Sequence, residues 1–148
     1  MPHMLRISEA GSLAMHTMGL LAENNDRIFT TRDIASSLSA SEAHLSKVLQ
    51  RLARGGFVAS TRGPTGGFRI AKPIKKITLL QIYELIEGPL ETDSCLFERP
   101  VCNSTACIFG DLIRSTNEHA KQYLSKTKLS DIAGRCSFKT SIPEGGRE

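Results

Sequence analysis

The chain has 148 residues, 23% of them charged and 40% hydrophobic, with a net charge of +4. These values exclude a disordered chain and a collagen-like repeat, and the length suits one ordinary core with an appendage. No run approaches the roughly 18 consecutive apolar residues of a membrane helix, and the first residues lack a basic leader before an apolar stretch; the expectation is a cytoplasmic protein with no membrane partner.

Ile7, Ala10, Leu13, Ala14, Met18 and Leu21 recur at helical spacing, and Ser8 is placed to start that helix. Thr30 followed three residues later by Asp33 reads as a second helix start, with Ile34, Ala35 and Leu38 on its apolar face. After a turn at Ser39-Ala40, Ser41 is a good N-cap, and Leu45, Val48, Leu49 and Leu52 repeat until Gly55-Gly56 stops the helix. The pair reads as helix-turn-helix. Its second helix buries the leucines, so the other face presents Ala43, His44, Lys47, Arg51 and Arg54, the layout of a helix whose first turns meet base edges and whose later residues meet phosphates.

Phe57 to Ser60 and Phe68 to Ile70 predict two short strands around Arg62-Gly63-Pro64-Thr65-Gly66-Gly67, a basic hairpin, or wing. Arg62 and the bare glycine backbone suit close approach to a groove or to phosphates. The same loop fails as a nucleotide-binding turn, because no Lys-Ser or Lys-Thr follows and no helix start is available for a pyrophosphate. Thr78 to Gln81 is a capping-box pattern opening a helix that runs to Gly88-Pro89. A polar loop follows to residue 107. Ile108, Leu112, Ile113, Thr116, Ala120, Tyr123 and Leu124 then predict a helix of nearly five turns, whose apolar stripe needs a partner surface: a second copy of the chain, or its own first helix.

The charge is uneven along the chain. Between Glu42 and Glu84 there is no acidic residue, while Lys47, Arg51, Arg54, Arg62, Arg69, Lys72, Lys75 and Lys76 supply eight positive charges. A one-signed stretch coinciding with the helix-turn-helix and wing points to a polyanion such as double-stranded DNA, its bland alternative being a solvated cationic face.

The cysteines are uneven too. Cys95, Cys102 and Cys107 fall within 13 residues, and Cys136 stands 29 residues further on. An odd cluster in a reducing compartment favours metal or redox chemistry over disulfides. Zinc usually takes closer pairs, although Cys136 or His119 would complete a four-ligand set, whereas an iron-sulfur cluster accepts wider spacing. Thiol redox switching and plain structural cysteines stay open as well.

These blocks together resemble the winged-helix regulators of the IscR and NsrR type, many of which hold iron-sulfur clusters. The resemblance runs from Met4 to about Ala133, and its most specific part is Arg62-Gly63-Pro64-Thr65-Gly66-Gly67-Phe68, similar to the family's wing. It implies a mainly α fold with a small β-hairpin: a winged helix-turn-helix domain over 4–88, a cysteine-rich cluster-binding loop over 89–107, and a dimerisation helix and short following segment over 108–134; the polar, Gly-rich composition after Cys136 predicts a flexible tail over 135–148. It also implies a homodimeric regulator, most often a repressor, whose cluster, of two or four irons, sets affinity for a palindromic operator. By position, Ser41, Ala43, His44, Ser46 and Lys47 fall where relatives read the major groove, and Arg62, Gly66 and Gly67 fall on the wing. Cys95, Cys102 and Cys107 match the cluster thiolates.

The fourth ligand departs from the pattern. Some relatives use a histidine where this chain has Gly110, and others a carboxylate of the partner's first helix where this chain has Ser12. Glu9, Ser12, His16, Asp111 and Cys136 stay as candidates, and an exchangeable fourth position would admit nitric oxide or oxygen. The rival readings are a thiol or zinc regulator on the same DNA-binding fold and a winged-helix module that binds protein. An enzyme is not expected, since no nucleophile elbow, His-Glu-x-x-His helix or phosphate loop is present.

Overall fold

The computed structural model describes residues 4–92, 95–102, 107–136 and 138. Each early helix starts where a short polar side chain satisfies a free backbone N–H. Ser8 Oγ accepts from Gly11 N at 3.1 Å and opens α1 (Glu9–Glu23). Thr30 and Asp33 form a reciprocal capping box at 3.1 and 3.0 Å and open α2 (Thr31–Leu38). Ser39 turns through φ 51°, and Ser41 then caps α3 (Glu42–Arg54) by accepting from His44 N at 3.3 Å. Gly55 ends α3, its N–H donating to Arg51 O at 3.0 Å.

β1 (Val58–Thr61) pairs antiparallel with β2 (Gly67–Ile70), Val58 opposite Ile70 and Thr61 opposite Gly67. The first strand starts one residue later than expected because Phe57 N–H still donates to Leu52 O at 3.0 Å, finishing the helix end rather than entering the ladder. The hairpin has a further attachment: Phe29 and Phe68 exchange both backbone hydrogen bonds, at 3.0 and 2.7 Å. A 3-10 turn (Ile74–Lys76) leads to α4 (Leu79–Glu87), opened by the Thr78–Gln81 capping box.

The core joins Ala14, Met18 and Leu21 of α1, Ile34 of α2, Leu45, Val48, Leu49 and Leu52 of α3, and Ile82, Tyr83 and Ile86 of α4. Burial of each large apolar side chain contributes about 1.5–3 kcal/mol, which is why the i, i+3, i+4 pattern alone places these helices inner face down. α5 (Leu112–Lys126) lies against α4 and buries Ile113, Asn117, Ala120 and Leu124, and Asn117 Oδ1 accepts from Leu5 N at 2.8 Å. A short α6 (Leu129–Ile132), not expected from the sequence, follows a backbone bridge in which Leu79 N–H donates to Thr127 O at 3.0 Å and Leu129 N–H to Ile77 O at 2.8 Å.

The long helix is shorter than the apolar repeat predicts. Residues 108–111 form turns, Gly110 has φ 56°, and the helix proper has 15 residues, about 22 Å. Ile108, 93% exposed, therefore belongs to the loop rather than to the helical stripe. Among the described residues no helix is long and apolar enough to cross a membrane.

Candidate nucleic-acid interface and cysteine loop

The reading face of α3 is open. Ser41, Glu42, Ala43, Lys47, Gln50, Arg51 and Arg54 are exposed, and His44 and Ser46 are half-buried. Positions 43, 47, 51 and 54 share a face by helical spacing, opposite the buried leucines. Lys47 and Arg54 extend from that face; Arg51 instead turns toward α4, where its Nη2 donates to the carbonyls of Leu85 and Ile86 at 3.1 and 2.8 Å. His44 Nδ1 lies 3.6 Å from Glu9 Oε1, so the first turn of α3 meets the first turn of α1. These two residues are 35 apart in the chain, and no sequence pattern signals the pair.

The wing tip, Arg62 to Thr65, is exposed. Gly66 and Gly67 are required by the chain's own backbone: a side chain on Gly66 would collide with the Thr61 carbonyl, and one on Gly67 with the Phe29 carbonyl. Lys72 Nζ lies 4.5 Å above the Phe57 ring and Arg27 lies 5.0 Å from the Phe29 ring centre, so aromatic faces hold two further cations beside the hairpin.

Beyond α4 the chain enters the cysteine loop. Cys95 and Cys107 are half-buried, Cys102 is exposed, and all three thiols are free. They line one cavity of about 490 Å³ whose other walls are Leu96, Phe97, Val101, Ile108, Phe109 and Ile113. Among the described residues no three Cys, His, Asp or Glu side chains are grouped to hold one ion. The donor set nonetheless suits a multi-iron cluster, whose thiolates stand further apart than the ligands of one ion and whose setting is largely apolar.

The fourth-ligand candidates are dispersed. Glu9, Ser12 and His16 line a separate groove of about 390 Å³ between α1 and the α2–α3 turn, where His16 Nδ1 lies 2.7 Å from Ser12 O. Asp111 is engaged by Arg114, with Nε and Nη2 at 2.8 and 2.7 Å. Cys136 is exposed, as is His119 on α5. Close by, the Phe138 ring meets the His16 ring edge-on at 6.4 Å; the rest of the tail after Cys136 lies outside the described residues.

The family model described as "Rrf2: Iron-dependent Transcriptional regulator" matches residues 7–135. The chain belongs to the Rrf2 family. An HTH-type transcriptional regulator of Aquifex aeolicus is 29% identical over 128 residues, covering 84% of this chain and 89% of its own length. BadM of Rhodopseudomonas palustris, also named as an HTH-type transcriptional regulator, is 39% identical over 83 residues, 56% of this chain and 53% of its own. Among solved structures, CymR, titled the global cysteine regulator of B. subtilis, superposes with a TM-score of 0.74 at 26% identity, covering 90% of this chain and all of that one. IscR of T. potens shares the fold, with a TM-score of 0.70 at 21% identity over 95% of this chain and 94% of its own. This Rrf2-family chain is thus a DNA-binding transcriptional regulator with a winged-helix architecture.

Proposed function

We propose that the protein is a cytoplasmic homodimeric repressor of the IscR and NsrR type, in which an iron-sulfur cluster held by Cys95, Cys102 and Cys107 controls binding to a palindromic operator. The observation that carries this reading is the convergence of the three thiols on one apolar cavity at the start of α5. When bound, the cluster supplies redox-sensitive and ligand-sensitive iron, open to nitric oxide, oxygen or the cell's iron supply. The chain's part is to supply thiolates, to line their cavity with apolar side chains such as Leu96 and Ile113, and to fix the loop. The Glu9, Ser12 and His16 groove offers a fourth donor from the partner copy.

On the DNA side, Ser41, Ala43, His44, Ser46 and Lys47 read the major groove, and Arg62 with the glycine backbone of Gly66 and Gly67 follows the adjacent phosphates or minor groove. Arg51 sets the pose of the helix. Exposed Leu112 and Tyr123 on α5, with Ile108 and Phe109 in the turn just before the helix, form the face that pairs two copies. Two-fold pairing spaces the recognition helices about 34 Å apart, and a loop-dependent bias of about 1–3 kcal/mol shifts affinity about 5- to 150-fold.

The test is anaerobic purification with iron, sulfide and spectral measurement on wild type and on Cys95→Ala, Cys102→Ala and Cys107→Ala. A brown, iron- and sulfide-containing wild type and colourless variants are expected. A colourless wild type without iron would replace this reading with a thiol switch, which the exposure of Cys102 favours.

A further inference from the structure

The last turn of α4 ties together three parts of the molecule that are distant in sequence. From α3, Arg51 Nη2 donates to the carbonyls of Ile86 and Leu85 at 2.8 and 3.1 Å. These belong to the last four carbonyls of α4, which have no partner within the helix, and the guanidinium complements the negative end of the helix dipole. Glu87 Oε1 accepts from Ser8 N at 2.8 Å and from the Ser8 hydroxyl, and Ser8 is the N-cap of α1. Gly11 leaves the room that this carboxylate occupies, since a Cβ there would strike Glu87 Oε1. Finally, Leu90 N–H donates to Glu84 Oε1 at 3.2 Å, and the Leu90 side chain is 1% exposed. Leu90 is the anchored base of the cysteine loop; Cys95 comes five residues later.

We propose that Arg51 and Glu87 are positioning residues that couple the cysteine loop to the recognition helix through the last turn of α4. A pull on Leu90 acts on Glu84 and on the turn that holds the acceptors of Arg51 and the carboxylate of Glu87. These bonds weaken steeply with displacement and misalignment, and packed cores switch between arrangements rather than stretch, so a small movement of the loop re-aims α3 and the N-cap of α1 together. The inference rests on α3 being the DNA-reading helix. It does not require the thiols to hold a cluster.

Coupling is reciprocal: if the loop alters DNA affinity, DNA alters the loop by the same factor. The experiment uses the full-length, reduced, metal-free protein and a duplex recovered by wild type from a random-sequence library. A pulse of N-ethylmaleimide is applied with and without saturating duplex, and peptide mass spectrometry reads Cys95, Cys102 and Cys107 separately, with Cys136 as reference. In wild type the duplex is expected to change labelling of the loop thiols at least about five-fold relative to Cys136. In Arg51→Met and Glu87→Ala, each saturated with duplex, the change falls below about two-fold. Glu87→Gln, whose amide oxygen still accepts from Ser8, retains it; a purely stabilising role for Glu87 would leave the duplex effect intact in Glu87→Ala despite a lower melting temperature. An undiminished effect in either Arg51→Met or Glu87→Ala, or no effect in wild type, overturns the proposal. Recovery of no duplex from the library would instead overturn DNA reading by α3, which separates the two failures.

Discussion

Gly67→Ala is expected to destabilise the protein in the absence of any DNA. The added methyl group would collide with the Phe29 carbonyl oxygen and lie 2.7 Å from its carbon and 2.9 Å from Ile28 Cγ2. Relief to ordinary contact requires the two backbones to part by about 1 Å, which breaks the paired hydrogen bonds between Phe29 and Phe68 at 3.0 and 2.7 Å. Two such bonds contribute about 1–3 kcal/mol net, and displacement of the Phe29 ring, fully buried in the core, adds to that loss. The expected decrease is about 2–4 kcal/mol, a large share of a stability of about 5–15 kcal/mol. Urea unfolding without DNA measures it, with an unchanged slope as the sign that the fold itself is retained. Operator affinity should fall as well, because the wing loses its attachment to the chain before α2. An unfolding free energy within about 0.5 kcal/mol of wild type, alongside lost DNA binding, would refute the packing argument and reassign the glycine to close approach to DNA.

Arg62→Ala is expected to weaken binding to all duplexes alike, lowering the slope of log affinity against log salt by about 0.9 if it neutralises one phosphate, whereas Lys47→Ala should weaken the preferred duplex more than a scrambled one, as titrations of both duplexes over several salt concentrations will show. Leu112→Glu combined with Tyr123→Glu should convert a dimer to a monomer in sedimentation equilibrium, since both side chains are more than half exposed on α5 and neither supports the core; a double variant that sediments like wild type would move the dimer face elsewhere. Burial raises the Tyr83 hydroxyl above its ordinary value of 10.0, the backbone of Arg6 opposing it and the charges of Glu87 and Glu84 adding to it. The folded state therefore keeps this proton when the unfolded state loses it, so the contribution is whole below about pH 10 and is lost as pH rises through the folded value. Tyr83→Phe should flatten the alkaline limb of unfolding free energy against pH.

Helix starts are legible in the sequence because their physics is local: Ser8, Thr30, Ser41 and Thr78 each cap through a side chain that reaches three residues ahead. The buried faces of α1, α3 and α4 follow from spacing for the same reason, and the sequence alone located the carboxylate-free stretch and the grouped thiols. The same periodicity misled at Ile108, where apolar side chains continue the helical rhythm through a turn that Gly110 makes possible.

Tertiary structure decided the pairings between residues far apart. It brought Glu9 to His44, Arg51 to the end of α4, Glu87 to Ser8 and Phe29 to Phe68, none of which leaves a short-range trace, because each depends on where packed helices cross. It also gave Gly66 and Gly67 an intramolecular role and drew Cys95, Cys102 and Cys107 to one cavity. Composition and local spacing determined which chemistries the chain carries. Only the fold decided which of those groups meet, since contact between distant residues is fixed by the shared core that buries them together.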